Sequence, residues 1–165
     1  MNKINKLVTI LTLFGIGDIR DHATIHRKLL EGLNIDTVDS GGRTLLMEAA
    51  IRKDHTLIEM LLKKGADVNI REKRSWTALH FAVQEYDLRA TQMLVEAGAD
   101  VNAQNDYGNN IALMAVSMFR GNGDVLEYVI DHGADINIKN KSGISALDSA
   151  KQTSNYNALS FMNVE

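Results

Sequence analysis

A five-residue motif recurs along the chain at nearly constant spacing, and it constrains the fold more than any other feature. Its copies begin at Gly65, Gly98 and Gly133, and each reads Gly-Ala-Asp-Val-Asn or Gly-Ala-Asp-Ile-Asn. These glycines are 33 and 35 residues apart, and a degenerate copy at residues 32–36 begins 33 residues further upstream. Such a period is typical of a helical solenoid, in which each unit buries its apolar face only against its neighbours. We therefore expect function on a continuous surface and not in a pocket.

Each period contains the pattern of two short helices. The first helix opens on a small polar residue whose side-chain oxygen can cap the free backbone amides. These cap residues are Thr44, Thr77, Asn110 and Ser145. The second helix is clearest over residues 57–64, where apolar side chains recur at helical spacing and the last residues are basic. The glycine that opens each repeated motif is expected to end this helix, because glycine accepts the left-handed conformation.

Together these features resemble the ankyrin repeat, whose consensus carries Thr-Pro-Leu-His at the first helix and Gly-Ala-Asp-Val-Asn after the second. The chain has no proline, and it keeps the consensus histidine only as His80. The resemblance implies an all-α solenoid of helix pairs with β-hairpin fingers and a concave face that binds other proteins. It covers nearly the whole of a single domain, residues 1–165, which divides into a divergent N-terminal cap (1–36), three full units (37–69, 70–102 and 103–137) and a C-terminal cap unit (138–165).

Two places depart from the regular period. The third unit has two extra residues near residues 119–123, which we interpret as a lengthened first helix followed by a mobile loop. The last unit lacks a clear second helix, because residues 152–157 are polar and only Ala158, Leu159 and Phe161 supply apolar contacts. A polar C-terminal cap that frays is the expected structure there.

The composition suits one small domain that buries a core along its length, with 45% hydrophobic and 24% charged residues. No cysteine is present, which excludes disulfides and thiolate metal sites. A net charge of −3 gives no general attraction to phosphate backbones, so a nucleic-acid partner is not expected. Nor do we expect a cofactor, a bound metal or a small-molecule substrate.

The N-terminus allows two interpretations that bear on location. Residues 1–6 are basic and residues 7–17 are mostly apolar, as in a weak secretory signal. The alternative is a cap helix, because five apolar residues fall on one helical face. These residues are Ile4, Leu7, Val8, Leu11 and Phe14. We favour the cap helix and a cytoplasmic location; if residues 1–17 act as a signal peptide, the location becomes periplasmic. A membrane-spanning segment is not expected, since the apolar stretch is short.

A second cap helix is predicted over residues 23–31. Ile25, Leu29 and Leu30 are expected to face the core from this helix.

Candidate catalytic or metal-binding residues are few. His22 and His26 have metal-ligand spacing on one helix, but histidines on a charged helix are usually solvated, and no motif supplies a third ligand. The aspartates of the repeated motif recur with the period, which indicates loop construction and not acid–base catalysis. We therefore predict a protein that is not an enzyme. The alternative class is a metal-dependent hydrolase or periplasmic stress-related protein that uses the two histidines.

Residues left free by the repeat geometry differ between units, and the resemblance places them on the fingers and at the ends of the first helices. Aromatic and arginine residues dominate interface hot spots. The predicted partner-binding residues are Arg71, Lys73, Arg74, Trp76, Gln84, Glu85, Asp106, Tyr107, Asn109, Met118, Phe119 and Arg120. Three aromatic residues also have structural interpretations. Trp76 could fold back over its own hairpin, Tyr107 could cover a junction between repeats, and Phe119 could fill the gap that its insertion creates.

The resulting functional hypothesis is a non-enzymatic module that binds one partner protein on its concave face. Since every unit is ankyrin-like, occlusion of the partner is the simplest expected mechanism. Small free-standing ankyrin proteins, when bacterial, resemble immunity proteins that neutralise a toxin, and a toxin is the sharper hypothesis for the partner. The alternative is an adaptor that joins two proteins.

Overall fold

The computed structural model describes residues 20–119, 121–152 and 156–162. Within these residues a single helix, α1 (His22–Leu30), precedes four stacked helix pairs, and the predicted all-α solenoid is confirmed. We call the pairs units one to four. Their helices are α2 (Leu45–Ile51) and α3 (His55–Lys63), α4 (Ala78–Gln84) and α5 (Leu88–Glu96), α6 (Ile111–Met118) and α7 (Asp124–Asp131), and α8 (Ala146–Gln152) and α9 (Tyr156–Leu159).

The first helix of every unit begins at the predicted cap residue. Thr44 Oγ1 accepts a hydrogen bond from the Met47 amide at 3.3 Å, and Asn110 Oδ1 accepts one from the Leu113 amide at 3.0 Å. Thr77 and Ser145 cap α4 and α8 in the same way. Each cap satisfies an amide that would otherwise lack a partner, which is worth about 1 kcal/mol.

Helix α1 and the second helices α3 and α5 also have side-chain caps, which were not among the sequence predictions. Asp21, Asp54 and Asp87 each accept a hydrogen bond from the backbone amide three residues further on. These aspartates recur with the repeat period, so the signal was available in the sequence. In unit three α7 follows Gly123 and has no side-chain cap.

The repeated glycines end the second helices as predicted. Gly65, Gly98 and Gly133 have φ angles of 85°, 90° and 93°. A Cβ atom at any of these positions would meet nothing within 4 Å. Glycine is therefore favoured there by the left-handed backbone, which is costly for other residues, and not by lack of space.

The units share one continuous core. First helices pack on first helices along the stack, and second helices α3, α5 and α7 pack on one another in a parallel row. Small residues in the first helices are completely buried, which allows the second helices to approach closely. They include Ala49, Ala82, Ala115 and Ala150. Within the part of the chain that the structure describes, the buried side chains form one cluster, as expected of a solenoid.

Side chains of the repeated motif join each unit to the next. Asn69 accepts a hydrogen bond from the Asp100 amide at 2.9 Å and donates one to the Gly98 carbonyl at 3.1 Å. Asn102 makes the corresponding bonds to the following motif. The Asp100 carboxylate accepts a hydrogen bond from the Asn102 amide two residues on, and Asp67 and Asp135 do the same in their own motifs. These aspartates therefore build the loops, as predicted.

Four tight turns replace the expected β-hairpin fingers. Each is closed by two backbone hydrogen bonds within its five residues, and the only bridge within the described ranges is an isolated one between Gln104 and Asn110. The turns are too short to form paired strands. We call them fingers one to four, which are residues 39–43, 72–76, 105–109 and 140–144.

The N-terminal cap differs from the prediction at one residue. Ile25 is fully buried and Leu29 is partly buried, but Leu30 is 69% exposed at the end of α1. The prediction that Leu30 faces the core is therefore wrong, because the helix turns this last side chain away from unit one. The earlier cap helix predicted from Ile4 to Phe14 lies outside the described residues.

The third and fourth units meet at the predicted insertion. Helix α6 has eight residues where α2 and α4 have seven, which confirms the lengthened first helix. Phe119 then leaves the helix with an extended backbone and packs on Phe161, with ring centroids 5.8 Å apart. Unit four has only a four-residue second helix, and Ala158 and Met162 supply its buried contacts.

Candidate functional site

The fingers and the first helices together form one face of the stack, which we call the finger face. Backbone hydrogen bonds join each finger to the next along this face. The Lys73 amide donates to the Gly41 carbonyl at 3.1 Å, the Asp106 amide to the Arg74 carbonyl at 3.0 Å, and the Lys141 amide to the Tyr107 carbonyl at 3.0 Å. Side chains on neighbouring fingers are therefore held in a fixed register.

Finger two carries a local backbone strain that the other fingers avoid. Ser75 has a φ angle of 61°, at the turn position where the other fingers have glycine. This conformation is uncommon for residues with a Cβ atom. Its hydroxyl donates a hydrogen bond to Asp106 Oδ1 at 2.5 Å. Serine thus adds a side-chain link between fingers two and three that glycine could not make.

Trp76 packs partly against its own unit. Its ring lies 5.1 Å from Phe81 and 5.7 Å from His80, measured between centroids, and its side chain is partly buried. Arg43 of unit one places its guanidinium carbon 5.1 Å from the centroid of the same Phe81 ring. Such a geometry permits a favourable cation–π contact. We call Arg43, Trp76 and Phe81 the aromatic cluster.

His80 supports this cluster from inside the stack. Its Nδ1 accepts a hydrogen bond from the Thr77 amide at 3.1 Å and so completes a capping box at the start of α4. Burial lowers the pKa of His80 to about 4, and the backbone of Asn109 in unit three opposes part of that shift. The ring is therefore neutral at pH 7, which suits its complete burial beneath Trp76.

Finger two presents two cationic side chains to solvent. Lys73 and Arg74 are exposed, and their side chains make no hydrogen bond or ion pair with the described residues. Arg71 instead donates to the Gln104 carbonyl at 2.9 Å. Glu72 lies between these cations, but one of its oxygens accepts the backbone amide of Arg74 at 2.7 Å. That carboxylate is thus used to build the turn.

Finger three presents an aromatic side chain beside these cations. Tyr107 is 60% exposed, while its amide donates to Asn105 Oδ1 and its carbonyl accepts from Lys141. The neighbouring Asn109 is committed to the stack, since its Oδ1 accepts a hydrogen bond from Asn140 at 2.8 Å. Tyr107 is therefore an exposed ring on a backbone that is fixed at both sides.

The remaining predicted residues fall at the ends of the first helices. Gln84 is exposed at the end of α4, and the Glu85 carbonyl accepts a hydrogen bond from Lys53 at 2.6 Å. Met118 is partly buried at the end of α6. Phe119 is only 7% exposed, and its packing on Phe161 agrees with the interpretation that it fills the gap created by the insertion.

Arg120 lies outside the described residues, so the predicted partner contact at this position stays a prediction.

Two residues of the finger face were missing from the sequence prediction. Arg43 precedes the cap residue Thr44 as Trp76 precedes Thr77, and this shared register was a signal that could have identified it. Phe81 lies one residue after His80 and is almost buried. Its ring contacts Arg43 and Trp76, and this supporting role is not visible in a search for exposed residues.

The two histidines with metal-ligand spacing do not lie in a metal site built from the described residues. His22 Nε2 lies 2.7 Å from Asp54 Oδ2 in the next unit, and His26 is exposed on α1. Among the residues that the structure describes, no three histidine, cysteine or acidic side chains are grouped to hold a metal ion. None of the helices in the described ranges has the length and apolar character needed to cross a membrane.

Comparison with known families agrees with this architecture. A family model described as ankyrin repeats (3 copies) matches residues 19–105 and, in a second match, residues 79–162. No match was found among curated proteins. Ankyrin repeats bind protein partners, which agrees with the exposed aromatic and cationic side chains of the finger face. Since the two matches together span all four helix pairs, the chain belongs to the ankyrin repeat family and is a protein–protein interaction module.

Proposed function

We propose that the protein binds one partner protein through the finger face of units two and three. It inhibits the partner by covering the partner's functional surface. The observation that carries this proposal is the fixed arrangement of Arg74, Trp76 and Tyr107 on adjacent fingers. A backbone hydrogen bond of 3.0 Å, from the Asp106 amide to the Arg74 carbonyl, fixes the position of finger three relative to finger two. Arginine, tryptophan and tyrosine are the residue types that contribute most to binding at protein interfaces.

The rigidity of the fingers supports tight binding. Each finger is held by backbone hydrogen bonds to its neighbours, and Tyr107 lies on a turn that is fixed through both its amide and its carbonyl. A preorganised surface loses little conformational entropy when it associates, so more of the contact energy is retained as affinity.

The side chains also indicate the chemistry of the partner surface. Lys73 and Arg74 are exposed cations beside the exposed ring of Tyr107. A complementary surface would place carboxylates opposite finger two and an apolar depression opposite finger three. Electrostatic complementarity of this kind mainly increases the association rate and the specificity.

The proposed mechanism requires no catalysis by this chain. Several side chains that could act as acids or bases already have structural roles. His55 binds Asp87 at the start of α5, His80 completes the capping box of α4, and the His132 ring contacts the Tyr128 carbonyl. The aspartates of the repeated motif likewise close their own loops. Inhibition by occlusion uses these residues only to maintain the surface.

In its sharper form, the proposal is that the partner is a toxin and that this protein acts as its immunity protein. Growth of cells that express the captured partner tests this form directly. Co-expression of the wild-type protein should restore growth, and the Trp76→Ala, Tyr107→Ala double variant should restore it much less. Equal growth with and without the wild-type protein would contradict the immunity role but not partner binding.

The binding surface itself is tested by amide hydrogen exchange on the complex with the partner captured from the native source. Protection is expected on fingers two and three, at residues 72–76 and 105–109. Helices α3, α5 and α7 provide the internal control, since they lie away from the fingers and should exchange as in the free protein. Protection confined to those helices would show that the partner binds a different surface.

A further inference from the structure

A cleft lies at the opposite end of α2 from finger one, where a loop joins α2 to α3. It has a volume of about 440 Å³ and is lined by Arg20, residues 52–56 and Arg89. This volume falls within the range of small-molecule sites, which is roughly 300–1,000 Å³. The cleft is separate from the aromatic cluster and from the exposed side chains of fingers two and three.

The lining of the cleft is strongly cationic. Four side chains with permanent positive charge contribute to it, and Asp54 is the one carboxylate among the lining residues. Over the whole chain acidic residues are in excess, at 21 against 18 lysines and arginines. The positive charge is therefore a local feature of this surface. The four cationic residues are Arg20, Arg52, Lys53 and Arg89.

The carboxylate in the cleft already has partners for both of its oxygens. Asp54 Oδ1 accepts the hydrogen bond from the Leu57 amide at 3.0 Å, and Oδ2 lies 2.7 Å from His22 Nε2. Asp54 is thus committed to capping α3 and joining it to α1. The Arg52 guanidinium is paired with Glu48, with Nε 3.0 Å from Oε1, so Lys53 and Arg89 carry the positive charge that a ligand would use.

The cations come from three successive levels of the stack. Arg20 precedes α1, Lys53 precedes α3, and Arg89 lies in the first turn of α5. The Lys53 ammonium is fixed by its hydrogen bond to the Glu85 carbonyl at 2.6 Å. The Arg89 guanidinium makes no hydrogen bond or ion pair with the described residues, so its donors are available. A ligand bound in the cleft would contact residues that are far apart in the sequence.

The positive charge around the cleft does not continue beyond unit two. Tyr86 occupies the register position of Lys53 in the next unit, and its hydroxyl donates to the Asn122 carbonyl at 2.5 Å. The following unit contributes acidic residues, Asp124 and Glu127, at the start of α7. The cleft is thus a bounded positive site and not part of a uniformly basic surface.

We propose that this cleft binds a small molecule that carries phosphate groups. A phosphate group offers three acceptor oxygens and close to two negative charges, so Lys53 and Arg89 can share it. Arginine guanidinium groups, with their planar arrangement of donors, match phosphate oxygens in pairs. The ligand is held by units one and two at the loop end of the stack, while the finger face stays open to a protein partner.

Isothermal titration of the full chain with inorganic pyrophosphate tests the proposal. Wild-type protein should bind, and Arg89→Gln and Lys53→Gln should each weaken binding about tenfold, as expected for the loss of one charged contact. The matched control is Lys141→Gln, which removes one positive charge from finger four and should leave pyrophosphate affinity unchanged. Thermal melting of each variant confirms that the stack remains folded.

The Lys141→Gln control and a second titration with citrate together distinguish a phosphate site from general attraction between charges. Citrate, a carboxylate ligand of comparable charge, should bind at least several-fold more weakly than pyrophosphate. The proposal is overturned if wild-type protein shows no binding, if Lys141→Gln weakens binding as much as Arg89→Gln, or if citrate binds as well as pyrophosphate.

Discussion

His55 Nε2 lies 2.7 Å from Asp87 Oδ2 and joins the start of α3 to the start of α5. The other oxygen of Asp87 accepts a hydrogen bond from the Ala90 amide at 3.2 Å. One nearly buried carboxylate therefore caps its own helix and holds the preceding unit. His22 of α1 and Asp54 repeat the same relationship one repeat period earlier, which makes this pair a recurring connection along the row of α1, α3 and α5.

Removing the Asp87 carboxylate should lower the free energy of unfolding. Asp87→Ala loses both the cap and the contact with His55, for an expected cost of about 2 kcal/mol. Asp87→Asn keeps an oxygen that can cap α5, so its cost should be smaller. Urea denaturation followed by circular dichroism measures both variants. Equal stability of Asp87→Ala and wild type would show that this connection contributes nothing.

The contact between fingers three and four can be tested with two glycines of matched conformation. Gly108 and Gly143 have φ angles of 75° and 76°. A Cβ atom at Gly108 would lie 2.9 Å from the Lys141 backbone nitrogen, whereas at Gly143 it would meet nothing within 4 Å.

Alanine at either position should cost about 1 kcal/mol for the left-handed backbone. Gly108→Ala should cost about 1–3 kcal/mol more, because the added methyl group pushes finger four away. The difference in unfolding free energy between the two variants isolates this effect. Identical values would mean that the fingers separate without cost.

Protonation of His80 should destabilise the protein in mild acid. Its pKa in the folded state is about 4, below the ordinary value of 6.5, because burial disfavours the charged ring. The unfolded chain therefore binds the proton first, and stability falls as the pH drops from about 6.5 towards 4. The expected loss from this group is about 2 kcal/mol by pH 5.

His80→Leu provides the comparison, since leucine already occupies the matching position of unit three as Leu113. Between pH 7.5 and 5 the unfolding free energy of the wild type should fall by about 2 kcal/mol more than that of the variant. Parallel curves would contradict the assignment of this acid sensitivity to His80.

Much of the fold could be predicted because the sequence repeats the residues that begin and end each helix. Thr44 and Asn110 cap their helices through local hydrogen bonds, and Gly98 ends α5 through its own backbone conformation. Such features depend on a few neighbouring residues. They are therefore visible in the sequence wherever the period brings them back.

The errors and omissions involve contacts between distant parts of the chain. Phe119 was predicted to bind the partner or to fill the gap that its insertion creates, and its packing on Phe161 near the C-terminal end favours the second interpretation. Leu30 has the apolar character of a core residue, yet the end of α1 leaves it exposed. Phe81 supports Arg43 across a unit boundary, which no local pattern reveals. The Asp87 cap, in contrast, recurs with the period as Asp21 and Asp54, so its signal lies in the sequence.

The central claim is that the finger face of units two and three binds a partner protein, and a single titration tests it most directly. The partner is captured with the wild-type protein, purified, and titrated with Tyr107→Ala and with Leu30→Ala. Leu30 is a matched control, since it is similarly exposed, at 69% against 60%, but lies on α1 away from the fingers. Tyr107→Ala should weaken binding about thirtyfold, as for a hot-spot residue, and Leu30→Ala should leave it unchanged. Unchanged affinity for Tyr107→Ala, or an equal loss with Leu30→Ala, would contradict the account.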